Sequence, residues 1–201
     1  MTAVQVLAFL VASLVLAITP GPGVAYVVAR TLAQGRRAGL ASVLGVALGN
    51  LGNGIGAALG LALLFEAVPP ALEVVKLLGA AYLFFLGASA LRAPEGAALV
   101  PSAAPSATLV RDGFVVALLN PKTAVFFAAF LPQFLGPDAR GEWLTVALAA
   151  TFVLIAATTD SIYVLAAAAV APRLRGEPSR RAMRWLPAAT YFGLAFVAAL
   201  R

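Results

Sequence analysis

Apolar residues run through this 201-residue chain in six long blocks, broken by short stretches rich in charge, proline or glycine. Hydropathy and punctuation together predict helical spans at about 4–29, 38–65, 69–91, 111–134, 143–171 and 184–200. A helix needs about 20 apolar residues, rising 1.5 Å each, to cross a bilayer core, and each block is close to that length or beyond it. The stretch 93–109 (APEGAALVPSAAPSATL) is rich in Pro, Ala and Ser and reads as a linker. It divides the chain into half-repeats of about 1–92 and 110–201, each of three spans, within one membrane domain covering 1–201. No basic segment precedes the first block, and it runs into Pro and Gly rather than a small-residue cleavage site. We therefore read it as a retained span.

Composition supports this pattern. The chain is 62% hydrophobic and 11% charged, with a mean hydropathy of +0.98, whereas soluble domains carry roughly 25% charged residues. A net charge of +6 could suggest nucleic acid, but the basic residues sit between apolar blocks rather than on a solvated face, so no nucleic-acid partner is expected. With alternating spans, Arg30, Arg36, Arg37, Arg92, Arg111, Arg173, Arg175, Arg180, Arg181 and Arg184 share one side. Only Lys76, Arg140 and Arg201 fall on the other. Arginine-rich loops stay in the cytoplasm, which predicts external termini. Cysteine and histidine are both absent; disulfides, thiol relays and the commonest metal ligand are excluded, and neither a metal nor a cofactor is expected.

Counting at 1.5 Å per residue gives the depth of the remaining polar features. Thr19-Pro20-Gly21-Pro22-Gly23 lies about 16 residues into the first span and should break that helix, because two prolines remove donors and two glycines admit unusual dihedrals. Asn120-Pro121-Lys122 interrupts the fourth span at similar depth. Three spans per half make the first and fourth run in opposite directions. Matched breaks of this kind point to a binding site in a 3+3 inverted repeat. Asn50 in the second span and Asp160 in the fifth reach the same depth. Lys122 and Asp160 are buried charges that either pair with each other or act directly on substrate or proton. Gly45, Gly49, Gly52, Gly56 and Gly60 form a stripe suited to close helix packing, within the chain or against a second copy. The aromatics of AYLFFLG (81–87) and VFFAAFLPQF (125–134) read as lipid-facing or core, and Glu73 with Lys76 as a solvated pair.

These residues resemble the lysine-exporter-like (LysE/RhtB) amino-acid efflux family of small six-span bacterial inner-membrane carriers. The likeness rests on ITPGPG, the GRRAGL loop, LGVALGN, KLLGAAYLFFLG, RDGFVVALLNPKTAVFFAAFLPQF, the Asp-containing fifth span and Arg184-Trp185. It implies export of amino acids or close derivatives, driven by the proton gradient or membrane potential, commonly by homodimers. Many members carry an acidic residue where this chain has Asn50, so no acidic coupling role is expected there. On this reading Thr19, Pro20, Gly21, Pro22, Gly23, Asn50, Asn120, Pro121 and Lys122 bind substrate. The amides at Gly21 to Gly23 and the helix start after Pro121 would meet its carboxylate, and Asp160 its ammonium or a proton. An intramembrane protease would need a second deep Asp, a Ser-His pair or a metal site; a non-transporting subunit or a carrier of another solute are the remaining alternatives.

Overall fold

The structure, a computed structural model, describes residues 1–59, 70–92, 105–127, 131–134, 142–174, 185, 188–189, 191–193 and 195–196. It contains α1 (Ala3–Ile18), α2 (Pro22–Gln34), α3 (Arg36–Ala58), α4 (Pro70–Arg92), α5 (Ser106–Leu118), α6 (Pro121–Val125) and α7 (Glu142–Val170), with 3-10 turns at Leu131–Phe134 and Ala171–Leu174. The described residues between 185 and 196 are helical, and no strand occurs among the described residues. Gly60, Arg140, Arg175, Arg180, Arg181, Arg184, Arg201 and most of the 93–109 linker lie outside the described residues, as do the side chains of Glu73, Lys76, Arg92 and Arg173.

Local chemistry explains the helix ends. Thr2 and Gln5 close a reciprocal capping box on α1. The first predicted span is two helices, α1 and α2, bent 47° apart, because Gly21 is fully extended and Pro22 occupies the first turn of α2. Gly35 joins α2 to α3 at φ +85°, a left-handed conformation that glycine adopts without Cβ strain. α5 begins at Ser106, five residues ahead of the expected 111. Pro105 caps it, and buried Leu109 already packs into the core, so the composition of a linker continues into a helix. Among the described residues α3 and most of α7 (Trp143–Val170) are each long and apolar enough to cross a membrane, and α1 with α2 makes a third crossing if the bent pair is one span.

α3 is the central packing element, lying against α2, α5 and α7. The glycine stripe explains how. A Cβ at Gly45 would strike the Val110 carbonyl, and one at Gly49 the Phe114 carbonyl. From α5, a Cβ at Gly113 would come 2.8 Å from the Ser42 carbonyl. Gly45, Gly49 and Gly113 thus let two backbones touch within one chain, the intramolecular use of small residues. Gly49→Ala should lower folded yield and the melting temperature, with overpacking costing about 1–3 kcal/mol; fluorescence-detected size exclusion after graded heating measures it. Outward-facing Phe84 and Phe85 are each 59% exposed, the lipid-facing alternative for that segment, whereas Phe126, Phe127 and Phe134 are buried.

Candidate functional site

Breaking a helix at membrane depth frees carbonyls that water cannot reach, so each needs a protein donor. At the end of α1, the Thr19 hydroxyl donates to the Val15 carbonyl at 2.7 Å. Lys122 Nζ donates to the carbonyls of Leu16 at 2.7 Å and Thr19 at 2.5 Å. Tyr163 Oη donates to the Ile18 carbonyl at 2.8 Å. The donors come from the first, fourth and fifth predicted spans, so the broken end of α1 is held by the second half of the chain. A cation at a helix C-terminus also meets the negative end of the helix dipole.

The start of α2 is left open. Gly21 offers no side-chain cap and Pro22 has no N–H, so the first-turn amides at Gly23 and Val24 have no intrahelical acceptor. Gly21, Gly23 and Val24 line a cavity, and the positive end of the 13-residue α2 faces it. The second break is different. Asn120 Oδ1 accepts the Lys122 N–H at 3.1 Å and its Nδ2 donates to Thr123 Oγ1 at 3.2 Å. The helix start after Pro121, expected to meet a carboxylate, is therefore already capped by its own Asn120.

Thr19, Gly21, Gly23, Asn50, Asn120, Lys122 and Asp160 line the same cavity, which holds about 40 Å³, room for about three water molecules. Pro20, Pro22 and Pro121 belong to the breaks and stay out of the lining. Asp160 is 4% exposed and Asn50 5%, and neither side chain has a hydrogen-bond partner among the described residues. Lys122 and Asp160 face the same cavity but do not approach within the 4.0 Å of an ion pair. The direct pair considered from sequence is replaced by Lys122 binding α1 carbonyls, with Asp160 left facing the cavity.

Sequence reasoning passed over Thr123, Val46, Phe152, Ala156 and Tyr163. Helical spacing could have found several: Phe152, Ala156 and Asp160 recur every fourth residue on one face of α7, with Tyr163 one turn on, and Val46 precedes Asn50 by four. Phe152, which lines the cavity, belongs to a cluster with Phe9, Phe126, Phe127 and Phe134 whose rings meet tilted or edge-on, their centroids 4.9 to 6.3 Å apart.

An all-helical membrane protein with broken helices and a buried polar cavity where their ends meet has the architecture of a transporter. The chain belongs to the LysE type translocator family, whose profile matches residues 14–201. It is 28% identical over 146 residues to a leucine efflux protein of Salmonella choleraesuis, covering 71% of this chain and 69% of the relative. It is 29% identical over 178 residues to a homoserine/homoserine lactone efflux protein of Salmonella typhimurium, covering 88% and 86%. A Vibrio cholerae membrane protein is 32% identical over 139 residues, covering 68% and 67%. No solved structure matches. The family is one of transporters rather than enzymes, so the intramembrane protease alternative falls.

Proposed function

We propose that this protein is a secondary active exporter of amino acids or close derivatives, working in the bacterial inner membrane. The carrying observation is the cavity, which presents an uncapped helix start and the Lys122 ammonium together with the Asp160 carboxylate, which has no hydrogen-bond partner among the described residues. Those are the two charges that a zwitterion requires, and the leucine and homoserine efflux relatives support the same substrate class. In this reading the substrate carboxylate meets the Gly23 and Val24 amides and the remaining Lys122 donor, its ammonium meets Asp160, and Asn50 and Asn120 orient it. A 40 Å³ cavity is too small for an amino acid, so the two halves must part to admit one.

The architecture that goes with this function is six spans in a 3+3 inverted repeat, with half-repeats about 1–92 and 110–201 and both termini external. Export would be driven by the proton gradient or the membrane potential, with Asp160 carrying the proton. A homodimer, which the family resemblance implies, would need a face other than Gly45 and Gly49, since these are turned onto α5. A stability-shift screen tests the substrate class. L-leucine or L-homoserine should raise the melting temperature of the purified protein, because a ligand at 100 times its Kd stabilises by about 2.7 kcal/mol. If no amino acid shifts the transition while another solute does, the amino-acid assignment is wrong.

A further inference from the structure

A second polar cluster, not used in the transport reading above, joins the two halves on the cytoplasmic side of the cavity. Arg30 Nη2 of α2 bonds Asp112 Oδ2 of α5 at 3.1 Å. Arg111 Nη2 holds the other oxygen of Asp112 at 3.0 Å. Tyr26 Oη donates to the Leu109 carbonyl at 2.8 Å, and the Arg30 guanidinium lies 5.3 Å from the Tyr26 ring centre. Arg30 is seven residues beyond Gly23, and Asp112 is eight before Asn120, so both stand about 10–12 Å from the breaks. The Arg-rich loops place this end in the cytoplasm. Asp112, 5% exposed, is as deeply buried as Asp160.

The cluster carries polar atoms that the closed structure does not use. Arg30 Nε and Tyr191 Oη are both buried with no hydrogen-bond partner among the described residues. Tyr191 is 4% exposed, packs in one core cluster with Tyr26 and Val116, and lies within electrostatic reach of Arg30 and Asp112. Unpaired buried donors are costly and rare, and they call for an explanation. A carboxylate supplies one: the guanidinium fork can grip it through Nε while the tyrosine hydroxyl donates to it.

We propose that Arg30, Asp112 and Tyr191 form a cytoplasmic acceptance site for the substrate zwitterion, and that substrate binding there opens the cavity to the cytoplasm. The substrate carboxylate takes Arg30 and the Tyr191 hydroxyl, and its ammonium takes Asp112. One internal ion pair becomes two pairs with the ligand, so no net charge is added to the buried cluster. Arg111, whose side chain is 71% exposed, keeps Asp112 in place while α2 and α5 separate. The proposal rests on the amino-acid export reading, and adds to it where and how the substrate is first held.

Tyr191→Phe is the cleanest test, because it removes a hydroxyl with no hydrogen-bond partner among the described residues. Its melting temperature should match or exceed that of the parent. In inside-out vesicles its KM for L-leucine at the cytoplasmic face should rise about tenfold, as expected for loss of a hydrogen bond to a charged group, with the maximal rate within about twofold. An unchanged KM overturns the proposal. If the parent protein itself moves neither L-leucine nor L-homoserine, it is the export reading that has failed. A second arm needs no transport. The chain has no cysteine, so Thr123→Cys places a single thiol in the cavity. A membrane-impermeant maleimide at the cytoplasmic face should label it at least tenfold faster when Asp112→Asn is added, and faster in the otherwise unaltered chain when L-leucine is present. Equal labelling rates in all three conditions reject the gate.

Discussion

Asp160→Asn should abolish export driven by an imposed proton gradient while leaving exchange of labelled substrate measurable. Asp160 lies 18 residues into α7 and 10 from its end, near mid-membrane if the helix crosses the bilayer. There a charge costs about 2.5–3.5 kcal/mol on insertion scales, and no described residue hydrogen-bonds it. The Lys122 ammonium in the same cavity offsets part of that cost without contact. A carboxylate held this way is stabilised by a substrate ammonium or by a proton, and the two compete. Asparagine keeps the shape but takes up neither the proton nor the charge. In proteoliposomes, uphill export under a pH gradient should fall at least tenfold, and counterflow should persist at lower apparent affinity. If Asp160→Asn exports at the parental rate with the parental pH dependence, the coupling role is refuted.

Lys122→Met should be the most destabilising substitution in the cavity. The ammonium donates to two carbonyls at the broken end of α1, and its removal leaves both without that donor at membrane depth. Two such losses come to about 2–4 kcal/mol, which corresponds to a fall in melting temperature of about 5–15 °C for a chain of this size. Lys122→Arg keeps the charge and the donors, so it should recover most of the loss. A Lys122→Met protein that melts within about 2 °C of the parent would show that the ammonium does not hold the break together, and would leave substrate binding as the reason for a charge at this depth.

Reading the breaks from sequence worked because their causes are local. Proline lacks an N–H and glycine lacks a Cβ wherever they occur, so TPGPG and NPK announced both interruptions before any tertiary contact was known. Depth was legible for the same reason, since rise per residue is fixed. Asn50, Asn120, Lys122 and Asp160 were grouped by depth alone, and they line one cavity. The beginning of α5 was not legible, because Pro, Ala and Ser suit a linker as well as a helix start. What decides it is Leu109 reaching the core and its carbonyl receiving Tyr26 Oη, a contact 83 residues apart in the chain.

The sequence by itself therefore determined that this is an apolar helical chain with broken helices and deep polar residues, because periodicity, punctuation and composition act over a few residues. Only the tertiary structure decided what those residues touch. Lys122 meets carbonyls 103 and 106 positions away, and Tyr163 one that is 145 away. Asp112 is buried against Arg30, and Gly45, Gly49 and Gly52 of the glycine stripe turned out to face α5. The physical reason is common to all of these. Hydrogen bonds and ion pairs act over a few ångströms, and which groups come that close is set by how helices distant in sequence pack.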